Sequence, residues 1–209
     1  MAIDHEYAVL GGVNRSLVGR YLSVAAAALS SIIVFAVLTA VDVAKRLGVP
    51  INVPPIVLSF LSAGSIFAAL YWLFSRYLWK WVPVASLLKV PNLLGTWSCA
   101  GQTLNPDGSL SFGWQGTVTI SQNWDKIRIR LVTDKSGSNS VTAALLWDEI
   151  EGYRLLYNYR NDPRADHPEL ASHLGSADLL FSKDLKTAEG GYFNGHGRYT
   201  FGTMKLVRK

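Results

Sequence analysis

The run from Tyr21 to Val41 constrains this chain more than any other stretch. It holds about 21 residues without an Asp, Glu, Lys, Arg or His. As a helix rising ~1.5 Å per residue it matches the ~30 Å hydrocarbon core of a bilayer. A helix in a soluble core is rarely apolar all round for that length. A second apolar run, about Val53 to Ser75, follows after a short break. The pair predicts a two-helix transmembrane hairpin within residues 21–82, with spans near 21–41 and 53–75. A leader (1–20) precedes it and a linker (83–92) follows. A signal peptide fits less well, because its apolar core should cover only ~7–15 residues and sit nearer the start.

Gly48 and Pro50 break the connection between the spans. Pro54 and Pro55 fall in the first turn of the second helix, where a missing N–H costs nothing. Ala26/Ser30, Ala27/Ser31 and Gly64/Ala68 are small residues one turn apart, a spacing that lets helix backbones approach in lipid. The same residues are also common in such helices without that role. Arg76, Trp79, Lys80 and Trp81 have the composition of a membrane interface.

The net charge of +5 is uneven. The first 90 residues carry seven Lys and Arg against three acids, the remainder thirteen against twelve. The basic balance therefore flanks membrane helices and is not a nucleic-acid footprint, so no DNA or RNA polymer is expected as a partner. Counting cations on each side of the spans gives five against two. That places the N-terminus and the C-terminal domain together in the cytoplasm. The single cysteine, Cys99, excludes an internal disulfide.

From Leu93 onward the texture is that of strands. Turn signals recur at short spacing, from Asn105-Pro106-Asp107-Gly108 to Asn194-Gly195, between runs of β-branched and aromatic residues. Lys126-Ile127-Arg128-Ile129-Arg130-Leu131 alternates with period two, apolar on one face and charged on the other. Eight runs are countable, near 94–103, 110–121, 126–133, 141–150, 153–160, 174–182, 189–194 and 197–208. The simplest fold for residues 93–209 is an eight-stranded antiparallel up-and-down β-barrel, which leaves no edge strand; an open sandwich is the alternative.

No catalytic motif is present: no G-x-S-x-G elbow, no H-E-x-x-H, no paired CxxC and no phosphate loop. Cys99 reads as a buried small hydrophobe. His167, Pro168, Glu169 and His173, with Asp162 and Asp166, match no metal-ligand spacing and read as a solvated loop; His196 reads as a turn residue. No catalytic residue, metal or cofactor is therefore expected. Arginines do recur beside aromatics: Trp124 near Arg128, Arg154 and Arg160 around Tyr157 and Tyr159, Arg198 beside Tyr199. Aromatic faces stack on bases and arginine pairs with phosphate. The candidate ligand-binding set is Trp114, Arg128, Arg130, Arg154, Tyr157, Tyr159, Arg198 and Tyr199. The bland reading of the same residues is a strand surface with solvated charges. Gly95-Thr96-Trp97 also matches the lipocalin G-x-W, whose tryptophan lies under a basic residue that Lys205 or Arg208 would supply.

The full-length layout resembles the SMODS-associating two-transmembrane, β-strand-rich effectors of CBASS anti-phage defence. The local marks are Leu94-Gly95-Thr96-Trp97 at the start of the domain and Gly191-Tyr192-Phe193-Asn194 with Gly202-Thr203-Met204-Lys205-Leu206 at its end. The resemblance implies a lipocalin-like barrel that binds a cyclic di- or oligonucleotide. It also implies self-association, and hairpins that disrupt the cell inner membrane and kill the infected cell. Two other readings stay open on the residues alone. One is a membrane-tethered carrier of an apolar ligand, the other a protein-binding scaffold.

Overall fold

The computed structural model describes residues 3–167, 171–195 and 198–209. The chain forms two compact units, Val13–Leu78 and, separately, Met1–Gly12 with Trp79–Lys209.

The first unit is helical. Helix α1 spans Arg15–Arg46, 32 residues, and so extends beyond the expected 21–41 at both ends. Asn14 caps it, its side-chain oxygen accepting from the Ser16 N–H at 2.8 Å, and Lys45 and Arg46 lie in the last turn. At ~1.5 Å per residue α1 is about 48 Å long, enough to carry both charged ends beyond a ~30 Å hydrocarbon layer. Among the described helices it is the one long and apolar enough to cross a membrane, with mean hydropathy 2.5.

The second expected span, 53–75, is not one helix. It is α2 (Pro55–Phe60) and α3 (Ala63–Arg76), and 14 residues give α3 a length of only about 21 Å. The break has a local cause. Ser62 is extended (φ −64°, ψ 154°) and caps α3, its side chain accepting from the Ser65 N–H at 3.4 Å. The Leu61 carbonyl at the break is bonded by the Ser30 hydroxyl of α1. Ala26 and Ser30 are accordingly buried. Ser31 instead bonds back to the Ala27 carbonyl, and a Cβ at Gly64 would lie 4.0 Å from Ser62 Oγ of the same helix's cap.

The second unit holds nine strands among the described residues, not eight. Strands β2 (Gly95–Leu104), β3 (Leu110–Gln122), β4 (Lys126–Thr133) and β5 (Ser136–Asp148) are followed by β6 (Gly152–Pro163), β7 (His173–Phe181), β8 (Thr187–Asn194) and β9 (Phe201–Arg208). They run as an antiparallel meander, and β9 pairs with β2 so that the sheet closes on itself.

The ninth strand comes from the expected leader. Strands β4 and β5 pair only near their hairpin, Arg130–Val132 against Gly137–Asn139, and then separate. Strand β1 (His5–Leu10) fills the opening, antiparallel to β4 at His5 and Glu6 and parallel to β5 from Tyr7 to Leu10. The register of β5 shifts between Ser140 and Thr142 at the point of separation. There the Ser140 hydroxyl accepts from the Ile129 N–H at 2.9 Å and meets His5 Nε2 at 2.7 Å. Tyr7 is buried and donates to the Asn123 carbonyl.

Residues 83–92, expected as a linker, begin with helix α4 (Val82–Leu88), and Leu88 and Val90 are buried. Trp79, expected at a membrane interface, is also buried, whereas Trp81 is 63% exposed. Trp97 is buried and donates Nε1–H to the Leu93 carbonyl. Of its two possible basic covers, Arg208 lies over the ring at 5.2 Å and donates to the Asn92 and Leu94 carbonyls; Lys205 faces outward.

Candidate functional site

The closed sheet is filled at one end and hollow at the other because its inward residues change size along the strands. Inward positions alternate with outward ones. From the filled end, β2 presents Trp97, Cys99, Gly101 and Thr103. Strand β7 presents Phe181, Leu179, Ala177, Gly175 and His173 in the same direction, and β9 presents Leu206, Met204 and Gly202. Large apolar side chains give way to glycine and small polar residues. What remains is a cavity of about 420 Å³, within the range that holds a small ligand.

Aromatic side chains form much of its wall: Trp114 from β3, Tyr157 and Tyr159 from β6, and Tyr192 from β8. Two glycines make room for them. A Cβ at Gly101 would fall 2.1 Å from the Trp114 ring, and one at Gly175 would fall 2.4 Å from the Tyr159 ring. Each ring therefore lies flat against bare backbone of the neighbouring strand. The Trp114 and Tyr192 rings meet edge to face at 5.7 Å, and the indole N–H donates to the Tyr192 oxygen at 3.1 Å. That phenol also meets Thr103 Oγ1 at 2.7 Å. Tyr159 donates to Asn194 Oδ1 at 2.8 Å, and Asn194 Nδ2–H to Thr200 Oγ1 at 2.7 Å.

Burial pushes the Tyr157 and Tyr159 phenols up; for Tyr159 the nearby Tyr192 adds to the effect and Arg198 opposes it. Both stay protonated at neutral pH and keep a hydrogen to donate. Burial also pushes the Cys99 thiol up to about 12. It is no thiolate nucleophile. The cations at the cavity are Arg198 and Lys135, with one carboxylate, Asp134. Among the described residues neither cation forms an ion pair.

Of the eight candidates drawn from sequence, Trp114, Tyr157, Tyr159 and Arg198 come together on this cavity. The other four do not line it. Arg128 and Arg130 are out of phase with inward Ile127 and Ile129, and Arg128 donates to Asn139 Oδ1. Arg154 is out of phase with Leu155 and is bonded by Glu151 and Asp178, each at 2.8 Å. Tyr199 is 75% exposed.

Pairing arginines with their nearest aromatics selected residues on opposite faces of a strand, whereas period-two phase alone separates them. The same phase, applied to β8, finds Tyr192. His173 corrects a different expectation. It is buried and lines the cavity, with Nδ1 donating to the Ala171 carbonyl at 3.1 Å. Pro168 and Glu169 of its expected cluster, and His196, lie outside the described residues. No group of three or more potential metal ligands occurs among the described residues.

Comparison with known proteins matches both parts of the chain. The family model "Cap15, cyclic dinucleotide receptor domain" covers residues 88–208, and "Cap15, TM helices" covers residues 16–80. CD-NTase-associated protein 15 of Yersinia aleksiciae is 46% identical over 205 residues, 98% of this chain and 97% of that protein.

Proposed function

The chain belongs to the Cap15 family of CBASS effectors, which join a cyclic dinucleotide receptor domain to transmembrane helices, and on that premise we propose that it is a membrane-held, non-enzymatic receptor whose closed sheet, a lipocalin-like barrel, takes a cyclic dinucleotide into the aromatic cavity. The observation that carries this reading is the pairing of ring faces with unpaired cations. Trp114, Tyr157, Tyr159 and Tyr192 offer surfaces for bases, and Arg198 and Lys135 offer two positive charges for two phosphates. A carrier of apolar cargo is disfavoured, because such cargo would desolvate Ser138 and Asn161 without replacing water as a partner. A pure scaffold would have no use for the hollow.

The topology supports a membrane hairpin. Strand β1 lies before the helices and β2–β9 after them, yet they share one sheet. The intervening chain must leave and re-enter the same side of any membrane it crosses, so it crosses an even number of times. With five flanking cations against two, that side is the cytoplasm and the membrane is the cell inner membrane. Ligand binding drives self-association only if the assembled state binds it more tightly than the free one. Once sheets associate, the tethered helices meet at high local concentration and disrupt the bilayer, which ends the infected cell.

The test is calorimetric titration of the full chain in lipid nanodiscs with cyclic dinucleotides, using linear dinucleotides as controls. Saturable heat with a cyclic species, together with a raised melting temperature, is expected. Absence of both, from folded protein across the panel, refutes the reading.

A further inference from the structure

One row of the cavity wall differs from the rest. Ser138 on β5 stands directly opposite Asn161 on β6, and Asn161 directly opposite His173 on β7. Side chains so paired on one face of a sheet lie about 5 Å apart. All three are more than nine-tenths buried, with exposures of 5%, 7% and 5%, and all three line the cavity. Buried polar groups are ordinarily hydrogen-bonded. Elsewhere on the wall Thr103 is bonded to Tyr192 and Tyr159 to Asn194, while the buried Tyr157 phenol makes no side-chain hydrogen bond among the described residues. Ser138 and Asn161 make no side-chain hydrogen bond among the described residues. His173 uses one ring nitrogen, Nδ1, on the Ala171 carbonyl. A carbonyl only accepts, so Nδ1 carries the hydrogen, and in the neutral ring Nε2 is then an acceptor aimed away from that bond.

The row is thus a set of polar donors and acceptors held ready for a ligand. It is too weak a site for phosphate, which has Arg198 and Lys135, and it fits the polar edge of a neutral ring. We infer that Ser138, Asn161 and His173 form a nucleobase-reading subsite, with Asn161 at its centre selecting a base that carries an amino group beside a ring acceptor. The assignment rests on the cyclic dinucleotide reading above and specifies how that site chooses among ligands. An asparagine amide presents one donor beside one acceptor, and adenine N6–H with N7 is its complement. His173 Nε2 accepts the second amino hydrogen. Uracil presents two carbonyls around one N–H and leaves the histidine acceptor facing an oxygen.

The experiment titrates the full chain in nanodiscs with cyclic di-AMP and cyclic di-UMP. Wild type, Asn161→Leu, Ser138→Ala and Arg198→Ala are compared, with melting curves for each. Wild type is expected to prefer cyclic di-AMP. Asn161→Leu should shrink that preference by roughly fivefold to a hundredfold, the worth of one bidentate base contact. Ser138→Ala, which removes one hydroxyl and leaves the fold intact, should shrink it less. Arg198→Ala should weaken both ligands equally and leave the preference standing.

Wild type that prefers cyclic di-UMP, or variants at 138 and 161 that keep the wild-type ratio, overturn the subsite while leaving the receptor reading intact. If Asn161→Leu fails to fold, the Ser138→Ala ratio decides. Wild type that binds neither these nor any other cyclic dinucleotide overturns the receptor reading and the subsite with it.

Discussion

Replacing Gly101 by alanine adds one methyl group and should empty the site of its function. The new Cβ would lie 2.1 Å from Cε2 and Cζ2 of Trp114 and 2.7 Å from Cδ2. Carbon atoms in contact sit ~3.5–4.0 Å apart, so the rigid indole must retreat by at least about 1.4 Å. Its N–H reaches the Tyr192 oxygen at 3.1 Å now, and a shift of that size takes the pair out of hydrogen-bond range. Overpacking a fitted wall costs about 1–3 kcal/mol. The lost bond adds ~0.5–1.5 kcal/mol.

A total near 2–4 kcal/mol corresponds to a fall in melting temperature of about 5–15 °C for a chain of this size. Differential scanning fluorimetry reads the stability, and titration with a cyclic dinucleotide reads the site. The paired variant Gly101→Ala/Trp114→Ala isolates the cause. With the ring gone the methyl has space, so Gly101→Ala should cost far less stability in the Trp114→Ala background than in wild type, while ligand affinity stays low. If Gly101→Ala melts and binds like wild type, or if it costs as much stability in the Trp114→Ala background as in wild type, this glycine does not shape the cavity.

Gly175→Ala meets the Tyr159 ring at 2.4 Å and should weaken binding in the same way, measured by the same titration. Tyr7→Ala removes the buried side chain of β1 and should cost about 3–5 kcal/mol of stability in chemical denaturation, even though residue 7 precedes the helices. Arg154→Ala removes two partly exposed ion pairs, each worth ~0–1 kcal/mol, and should leave ligand affinity unchanged. The buried phenols make stability sensitive to alkali. Their pKa values are higher folded than unfolded, so their contribution is complete below the unfolded value of 10.0 and is lost as the pH rises above it. Urea melts between pH 8 and 11 should show that loss, and Tyr157→Phe should flatten it.

Much of the architecture was written plainly in the chain. The apolar run at Tyr21–Val41 and the alternation at Lys126–Leu131 each record one environment repeated over many residues, and both became regular elements. The failures lie where a single contact decides. Nothing in composition separates α2 from α3; one serine cap and the Ser30 bond to the Leu61 carbonyl do. Strand β1 is six residues long with one buried side chain, Tyr7, and its partners lie more than a hundred residues away. Of the residues chosen for their chemistry, Trp114, Tyr157, Tyr159 and Arg198 line the cavity. Arg128, Arg130 and Arg154 share that chemistry but sit in the opposite phase of their strands. Ser138 and Asn161 carry no signal of their own. They matter because Leu131, Thr133 and their neighbours leave a hollow beside them, and a hollow is a property of packing.

The placement of β1 also fixes an order of events during synthesis. Tyr7 leaves the ribosome early, but its partner Ala143 comes 136 residues later. At ~5–20 residues per second, the strand waits about 7–27 s for a place to dock. In that interval α1, α2 and α3 have all been made. The sheet therefore closes after the helices have had time to enter the bilayer.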